Sequence, residues 1–169
     1  MRCPRTPDAT NPQPERLNIP PFYPMSYHKL IYHIVFGTKY RQQTITVSHD
    51  RELYKYIFGI INNLGGFVLR INGMPDHIHI LTTLPPKISV SDAVKAIKQS
   101  SSIWLNTNPN FPKWLGWGNG YAVISYSESE VESVKNYIIN QKTHHASIGF
   151  AEEYEHLVKS IGYENVYDD

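Results

Sequence analysis

The segment that most constrains the fold is FVLRINGMPDHIHILTTL, residues 67–84, in which two runs rich in β-branched and apolar residues flank a Met-Pro-Asp sequence. Proline and aspartate favour tight turns, so strands over 67–73 and 77–84 are predicted to pair as a β-hairpin. Because the side chains of a strand alternate between the two faces of a sheet, His77 and His79 are predicted to point to the same side.

The remaining periodic segments complete the order of elements. Strands are predicted at 27–38 and 120–127, and helices at 49–66, 89–105, 127–145 and about 150–161. The first six elements of the order β-α-β-β-α-β-α-α match the ferredoxin-like, split β-α-β arrangement. We therefore predict an α+β fold, a four-stranded antiparallel sheet with helices on one face plus C-terminal helices, in which the His77 strand is central.

The composition is typical of one folded domain, with 18% charged and 41% hydrophobic residues in a chain of 169. Seven of the twelve prolines lie in residues 1–24, which we predict to be a disordered tail before a domain at 25–169. The single cysteine, Cys3, excludes an internal disulfide and a cysteine-rich zinc site. With neither a long apolar run nor a secretory signal, the expected location is the cytoplasm.

Charge is unevenly distributed along the chain. The net charge is +1. From Ala151 onward the chain has six acidic residues and a single basic one, Lys159, so residues 1–149 carry a net positive charge. This balance is compatible with a nucleic-acid partner, and equally with a domain that binds none.

The histidine pair has two interpretations. Two imidazoles on one side of a strand are close enough to share one cation, so His77 and His79 are candidate metal ligands. With eight histidines in the chain, however, a His-x-His pair also arises readily by chance. Polar residues on an exposed strand face are therefore the alternative.

A second candidate feature is the predicted helix 127–145, which starts with a capping box of Ser127 and Glu130. Tyr137 and Gln141 lie four residues apart and thus on one face of this helix. A phenol can act as a nucleophile in phosphoryl transfer when a cation polarises the phosphate, and an amide oxygen can join two imidazoles around that cation. Alternatively, Tyr137 only packs at the edge of the helix's apolar stripe.

Taken together and in order, these motifs resemble the single-tyrosine transposases of the HUH superfamily, the group that contains the insertion-sequence-200-like and REP-associated transposases. MPDHIHIL resembles the family's His-hydrophobic-His strand, and YIINQKTHH resembles its helix with tyrosine followed by Asn-Gln. Between them, LPPKISVSDAVKAIKQSSSIWL and GWGNGYAVISYS resemble the family's connecting segments. The resemblance covers about residues 26–161.

The resemblance implies a DNA transposase that cleaves and rejoins single-stranded DNA. It implies His77, His79 and Gln141 as ligands of Mg²⁺ or Mn²⁺, and Tyr137 as the nucleophile that forms a 5′-phosphotyrosine intermediate. The expected partner is a DNA hairpin at the end of a mobile element. A homodimer is expected, with a monomer as the alternative.

Further side chains are weaker candidates for DNA contact, because cations bind phosphates and indole rings stack on bases. They are Lys98, Lys113, Trp117, Lys142, His144 and His145. The alternatives are solvated lysines, a solvated helix end, and a tryptophan packed against the sheet edge. Asp76 either orients the neighbouring imidazole or only forms the turn.

Two other functions fit the same fold. A ferredoxin-like sheet can bind single-stranded nucleic acid without catalysis, and a metal-dependent nuclease could use water in place of Tyr137. Trapping of a phosphotyrosine link separates the three.

Overall fold

A computed structural model describes residues 27–144, 149–160 and 162. The predicted tail, residues 1–24, lies outside this part of the chain. The strands are β1 (Ile31–Gly37), β2 (Phe67–Met74), β3 (His77–Thr83) and β4 (Ala122–Tyr126). The helices are α1 (Asp50–Asn63), α2 (Val90–Thr107), α3 (Val131–Ile139), α4 (Gln141–His144) and α5 (Phe150–Ser160).

The four strands form one antiparallel sheet in the order β2-β3-β1-β4. The predicted α+β, split β-α-β fold is confirmed, and β3 is a central strand. The predicted hairpin is also present, with Met74 paired to His77 across the turn. The Ser89 hydroxyl accepts a 3.1 Å hydrogen bond from the Asp92 amide and so caps α2.

Helices α1 and α2 cover one face of the sheet. Ile78 and Ile80 of β3 point to this side, where they pack with the apolar stripes of both helices. The fully buried members of these stripes are Leu53, Ile57, Ile61 and Ile97. Burial of each such side chain contributes about 1.5–3 kcal/mol, so this cluster is the main core of the domain.

The C-terminal helices cover the opposite face, which the sequence patterns did not indicate. Ile31 and Leu81 pack there against α3, and Val35 packs against α5. Strand alternation places His77 and His79 on this second face, where each has an exposed fraction of 0%. The two histidines therefore lie in a buried layer between sheet and helices, and the exposed strand face considered above does not exist.

The predicted helix 127–145 is interrupted. Its capping box is present, since the Ser127 amide donates to the Glu130 carboxylate at 2.9 Å, but α3 ends at Ile139 and α4 starts at Gln141. The Asn72 side-chain amide donates to the carbonyl oxygen of Ile138 at 2.7 Å. That oxygen would otherwise accept the next helical hydrogen bond, so the contact favours a break at this point. No helix among the described residues is long and apolar enough to cross a membrane.

Candidate active site

The two histidines of β3 direct their Nε2 atoms toward the same carboxylate, that of Glu153. The Nδ1 of His77 donates to Asp76 Oδ1 at 2.7 Å, while the Nδ1 of His79 shares a 3.0 Å hydrogen bond with the Nε2 of His33. Metal-bound imidazoles usually donate their second N–H in this way, which fixes the tautomer and the ring orientation. In the tautomer in which Nδ1 carries the proton in both rings, each Nε2 carries the lone pair that a cation needs.

A carboxylate from α5 lies next to both Nε2 atoms. Glu153 is 7% exposed, and its Oε2 and Oε1 are 3.5 Å from His77 Nε2 and 3.6 Å from His79 Nε2. Ligands that bind one cation at about 2.1 Å are separated by roughly 3–3.5 Å, close to these distances. His77, His79 and Glu153 thus form a potential metal site.

Tyr137 and Gln141 converge on the same carboxylate. The Tyr137 hydroxyl donates to Glu153 Oε1, and the Gln141 side-chain amide donates to that oxygen at 2.7 Å. Gln141 is fully buried, and its Oε1 has no hydrogen-bond partner within the described part of the chain. A buried oxygen without a partner is unfavourable, and a cation would satisfy it. The donor set therefore fits a divalent ion with two imidazoles, an amide oxygen and a carboxylate.

The surroundings determine the protonation of two of these side chains. Burial, and then the hydrogen bond to Glu153 and its negative charge, raise the pKa of the Tyr137 hydroxyl well above its usual range. This phenol is therefore protonated at neutral pH. Burial lowers the pKa of His33 to about 4, against the opposing effect of Glu153, so His33 is neutral.

Two contacts fix the segment that carries Tyr137 and Gln141 within its own chain. Asn72 lies opposite His79 in the β2–β3 pairing and holds the end of α3 through Ile138. Farther along, the Lys142 ammonium forms a 2.6 Å ion pair with Asp50 at the start of α1. With these contacts, the two histidines, the tyrosine and the glutamine of one chain surround the Glu153 carboxylate.

An open cavity of about 540 Å³ lies beside this point. Tyr137 and Glu153 line it together with His33 and Tyr126, and the outer part is formed by side chains of α3 and α5. The volume is within the range of roughly 300–1,000 Å³ for small-molecule sites, so a nucleotide-sized group can approach the hydroxyl.

The candidate DNA-contacting side chains lie in different environments. Trp117 belongs to the core, where its indole N–H donates to Ser101 Oγ at 2.9 Å and its ring packs on Phe36, so it is not available to stack on a base. This position agrees with the alternative considered for Trp117, a packed rather than a DNA-contacting indole. Packing on the aromatic side chains of the main core buries the Trp117 ring more completely than stacking on a solvent-exposed base would.

The candidate lysines differ in their surroundings. Lys98 is partly buried and donates to the carbonyl oxygens of Gly118 and Gly120, so it orders that loop. Lys113 is exposed, whereas Lys142 is half-exposed in its ion pair with Asp50. The His144 side chain and His145 lie outside the described part of the chain.

Glu153 and His33 were not predicted from the sequence as site residues. Glu153 lies one helical turn before Leu157, at a position where the periodicity of α5 favours an apolar residue. His33 likewise replaces an apolar residue between Ile31 and Val35 on the inner face of β1. A polar residue within an apolar stripe was the available signal in both cases.

Fold and site together define a class of protein: a split β-α-β domain with a potential divalent-metal site and a tyrosine hydroxyl at that site. The sequence places the chain in a family. The family described as "Transposase IS200 like" matches residues 26–141, and the chain belongs to it. It is thus a transposase by family, a DNA-processing enzyme.

Relatives and solved structures agree with this assignment. The chain is 29% identical to the ISDra2 transposase TnpA of Deinococcus radiodurans over 68% of its own length and 85% of the relative's. It is 30% identical to the transposase for insertion sequence element IS200 of Salmonella typhimurium, over 65% of this chain and 75% of the relative.

Two solved structures are similar. The crystal structure of a candidate transposase from Deinococcus radiodurans R1 is 28% identical and superimposes with a TM-score of 0.53, covering 71% of this chain and 96% of that one. A REP-associated tyrosine transposase, solved bound to a REP hairpin, is 15% identical with a TM-score of 0.56 and covers 75% of each chain. At that identity the second likeness concerns the fold.

Proposed function

We propose that this transposase cleaves and rejoins single-stranded DNA through a covalent link to Tyr137, with Mg²⁺ or Mn²⁺ bound by His77, His79 and Gln141. The observation that carries the proposal is the convergence on Glu153. One carboxylate is in contact with the tyrosine hydroxyl and the glutamine amide, and it lies within 3.6 Å of both imidazole Nε2 atoms. Nucleophile and ligand set are therefore adjacent.

The proposed reaction needs no external energy source, because each step exchanges one phosphoester bond for another. The Tyr137 oxygen attacks the phosphorus of one phosphodiester and loses its proton, while the bond from phosphorus to the 3′ oxygen breaks. The leaving oxygen takes up a proton from solvent, so that a 5′-phosphotyrosine and a free 3′-hydroxyl result. Glu153 already accepts the hydrogen bond of the hydroxyl, so this carboxylate is in place to take its proton. A 3′-hydroxyl from another strand then attacks the link and releases the tyrosine.

A bound divalent ion would polarise the phosphate and neutralise charge on its oxygens. We propose Mg²⁺ or Mn²⁺ because an amide oxygen, a carboxylate and phosphate oxygens suit a hard cation. Glu153 is a further candidate ligand beside the three that the sequence indicated, and Asp76 and His33 would orient the two imidazoles.

We further propose that the DNA partner is a hairpin-bearing single strand and that one chain supplies all the side chains of one site. A homodimer of this protein would then contain two complete sites. The contacts of Asn72 and Lys142 support this, since Asn72 holds the end of α3 on the sheet that carries the histidines. Lys142 joins α4, which carries Gln141, to α1 of the same chain.

The test is a covalent-trapping experiment. Labelled single-stranded DNA from the flanks of the gene, with its hairpins, is incubated with protein and Mn²⁺ or Mg²⁺ and run on a denaturing protein gel. Wild type, Tyr137→Phe and Tyr126→Phe run side by side, because Tyr126 lines the same cavity and serves as the matched control. We expect a metal-dependent adduct in wild type and Tyr126→Phe, and none in Tyr137→Phe.

The other outcomes identify the competing functions. Binding without an adduct in all three proteins would indicate a non-catalytic nucleic-acid-binding module. Strand cleavage that survives Tyr137→Phe would mean that water is the nucleophile and that this protein is a nuclease.

A further inference from the structure

The turn after β1 is strained. Tyr40 and Arg41 are consecutive non-glycine residues with φ values of 56° and 55°, in the left-handed region that bulky side chains rarely adopt. Such strain is concentrated at functional sites, where the surrounding structure imposes it. Here the amide of Lys39 donates to the carbonyl oxygen of Gly116 at 2.8 Å, which helps to hold the turn in place.

The strained turn presents an aromatic ring and two cations to solvent. Tyr40 has an exposed fraction of 77%, Lys39 lies over its ring at 5.2 Å from the centroid, and Arg41 is also exposed. Adjacent basic and aromatic side chains are the combination with which proteins bind unpaired nucleotides, because the ring stacks on a base and the cations contact the backbone.

A cavity of about 310 Å³ lies between this turn and the loop at 118–120. Tyr40 and Arg41 of the turn, Gly118 and Asn119 of the loop, and Tyr154 of α5 all line it. Among the residues that the structure describes, none of those lining the cavity is acidic. Its volume is at the lower end of the roughly 300–1,000 Å³ typical of small-molecule sites, which suits a single nucleotide.

The cavity adjoins the candidate active site on two sides. Gly37, at the end of β1, is paired with His77, and the Thr38 amide donates to the Asp76 carbonyl oxygen at 2.8 Å. On the other side, Tyr154 directly follows Glu153. A DNA strand with one phosphate at the active site therefore has an adjacent nucleotide within reach of this cavity.

Resting on the proposed function, we propose that the turn Lys39–Arg41 and the loop at 118–120 form a nucleotide subsite for single-stranded DNA. Tyr40 stacks on an unpaired base, and Arg41 contacts the backbone phosphate. Lys98 supports the site from within, since it donates to the carbonyl oxygens of Gly118 and Gly120.

Binding measured in EDTA tests the subsite independently of strand cleavage. The probe is the fluorescein-labelled flank-derived single strand, read by anisotropy, with the fully paired duplex of the same sequence as comparison. We expect Tyr40→Ala to weaken single-strand binding roughly tenfold and to leave duplex binding unchanged, while Tyr40→Phe retains affinity. Tyr27→Ala is the matched control, because Tyr27 is also 77% exposed and lies before β1.

Tyr40→Gly separates binding from folding. Glycine adopts positive φ without a steric penalty, so this variant should keep or raise the melting temperature while it loses single-strand affinity to the same extent as Tyr40→Ala. For Arg41, we expect Arg41→Ala to weaken binding and to reduce its salt dependence, whereas Arg51→Ala, on the exposed side of α1, should change neither.

Wild-type affinity in Tyr40→Ala, or an equal loss of duplex binding, would overturn the subsite. So would an absence of single-strand binding by the wild type. Failure of the proposed function would look different. The protein would bind DNA in a Tyr40-dependent manner but would form no covalent adduct when metal is added.

Discussion

Asn72 of β2 holds the end of the tyrosine helix, since its side-chain amide donates to the carbonyl oxygen of Ile138 at 2.7 Å. Ile138 directly follows Tyr137, and Asn72 is paired with His79 across the sheet. One side chain on the strand next to the two histidines thus connects the sheet to the helix that carries the candidate nucleophile. The relationship leads to the first prediction.

Asn72→Ala should slow formation of the covalent adduct by a factor of ten or more, because small displacements of a reacting group have large effects on rate. The free energy of unfolding should fall by only about 1 kcal/mol, the typical contribution of one such hydrogen bond. Single-turnover kinetics and chemical denaturation measure the two quantities, with the exposed Asn62→Ala as control. An unchanged adduct rate would show that Asn72 does not position the helix.

A mixture of two inactive variants tests whether one chain builds the whole site. We expect no adduct when Tyr137→Phe is mixed with the His77→Ala, His79→Ala double variant, because the Asn72 and Lys142 contacts join both motifs within one chain. The denaturing gel used for trapping is the readout, and wild type diluted to the same active concentration is the control. Restored adduct formation in the mixture would mean that the tyrosine helix is supplied by a partner subunit.

Glu153→Gln should lower the affinity for Mn²⁺ by about tenfold or more, since the carboxylate lies near both imidazole Nε2 atoms and removal of a ligand or its supporting group typically costs 10–100-fold. Isothermal titration calorimetry without DNA measures this directly. The neighbouring Glu152→Gln, on the exposed face of α5, is the matched control. Unchanged Mn²⁺ affinity with faster adduct formation would instead indicate that the carboxylate excludes substrate.

Stability should depend on pH through His33. Its pKa is lowered to about 4 in the folded protein from 6.5, so between these values the unfolded state binds more protons and stability falls as pH falls. The effect begins below about pH 6.5 and reaches up to roughly 3 kcal/mol near pH 4. Denaturation in EDTA across this range should show a smaller slope in His33→Gln, but not in the exposed His28→Gln. Equal slopes in all three proteins would contradict this origin.

The local patterns were sufficient for most of the fold. Alternation in the hairpin predicted that His77 and His79 share a face, and the Ser127–Glu130 capping box predicted where the helical segment that carries Tyr137 begins. All four strands overlap their predicted ranges. These features depend on residues close together in the chain, where spacing alone defines the geometry.

Other features depend on contacts between distant residues. The break after Ile139 is associated with Asn72, which lies 66 positions before its hydrogen-bond partner Ile138. Periodicity alone predicted a continuous helix over 127–145. The burial of Trp117 likewise follows from its packing on Phe36 and its hydrogen bond to Ser101. An indole in a loop has no local signal that distinguishes a core position from an exposed one.

The sequence by itself determined the order of elements, the shared face of the two histidines and the family motifs around Tyr137 and Gln141. Only the tertiary structure decided that α5 closes the second face of the sheet and brings Glu153 to those residues. The physical reason is that strand and helix periods define which side chains share a face of one element. Which of these faces pack together depends on how much apolar surface the two elements bury against each other. His77 and Glu153 are 76 positions apart in the sequence and come together only in the folded chain.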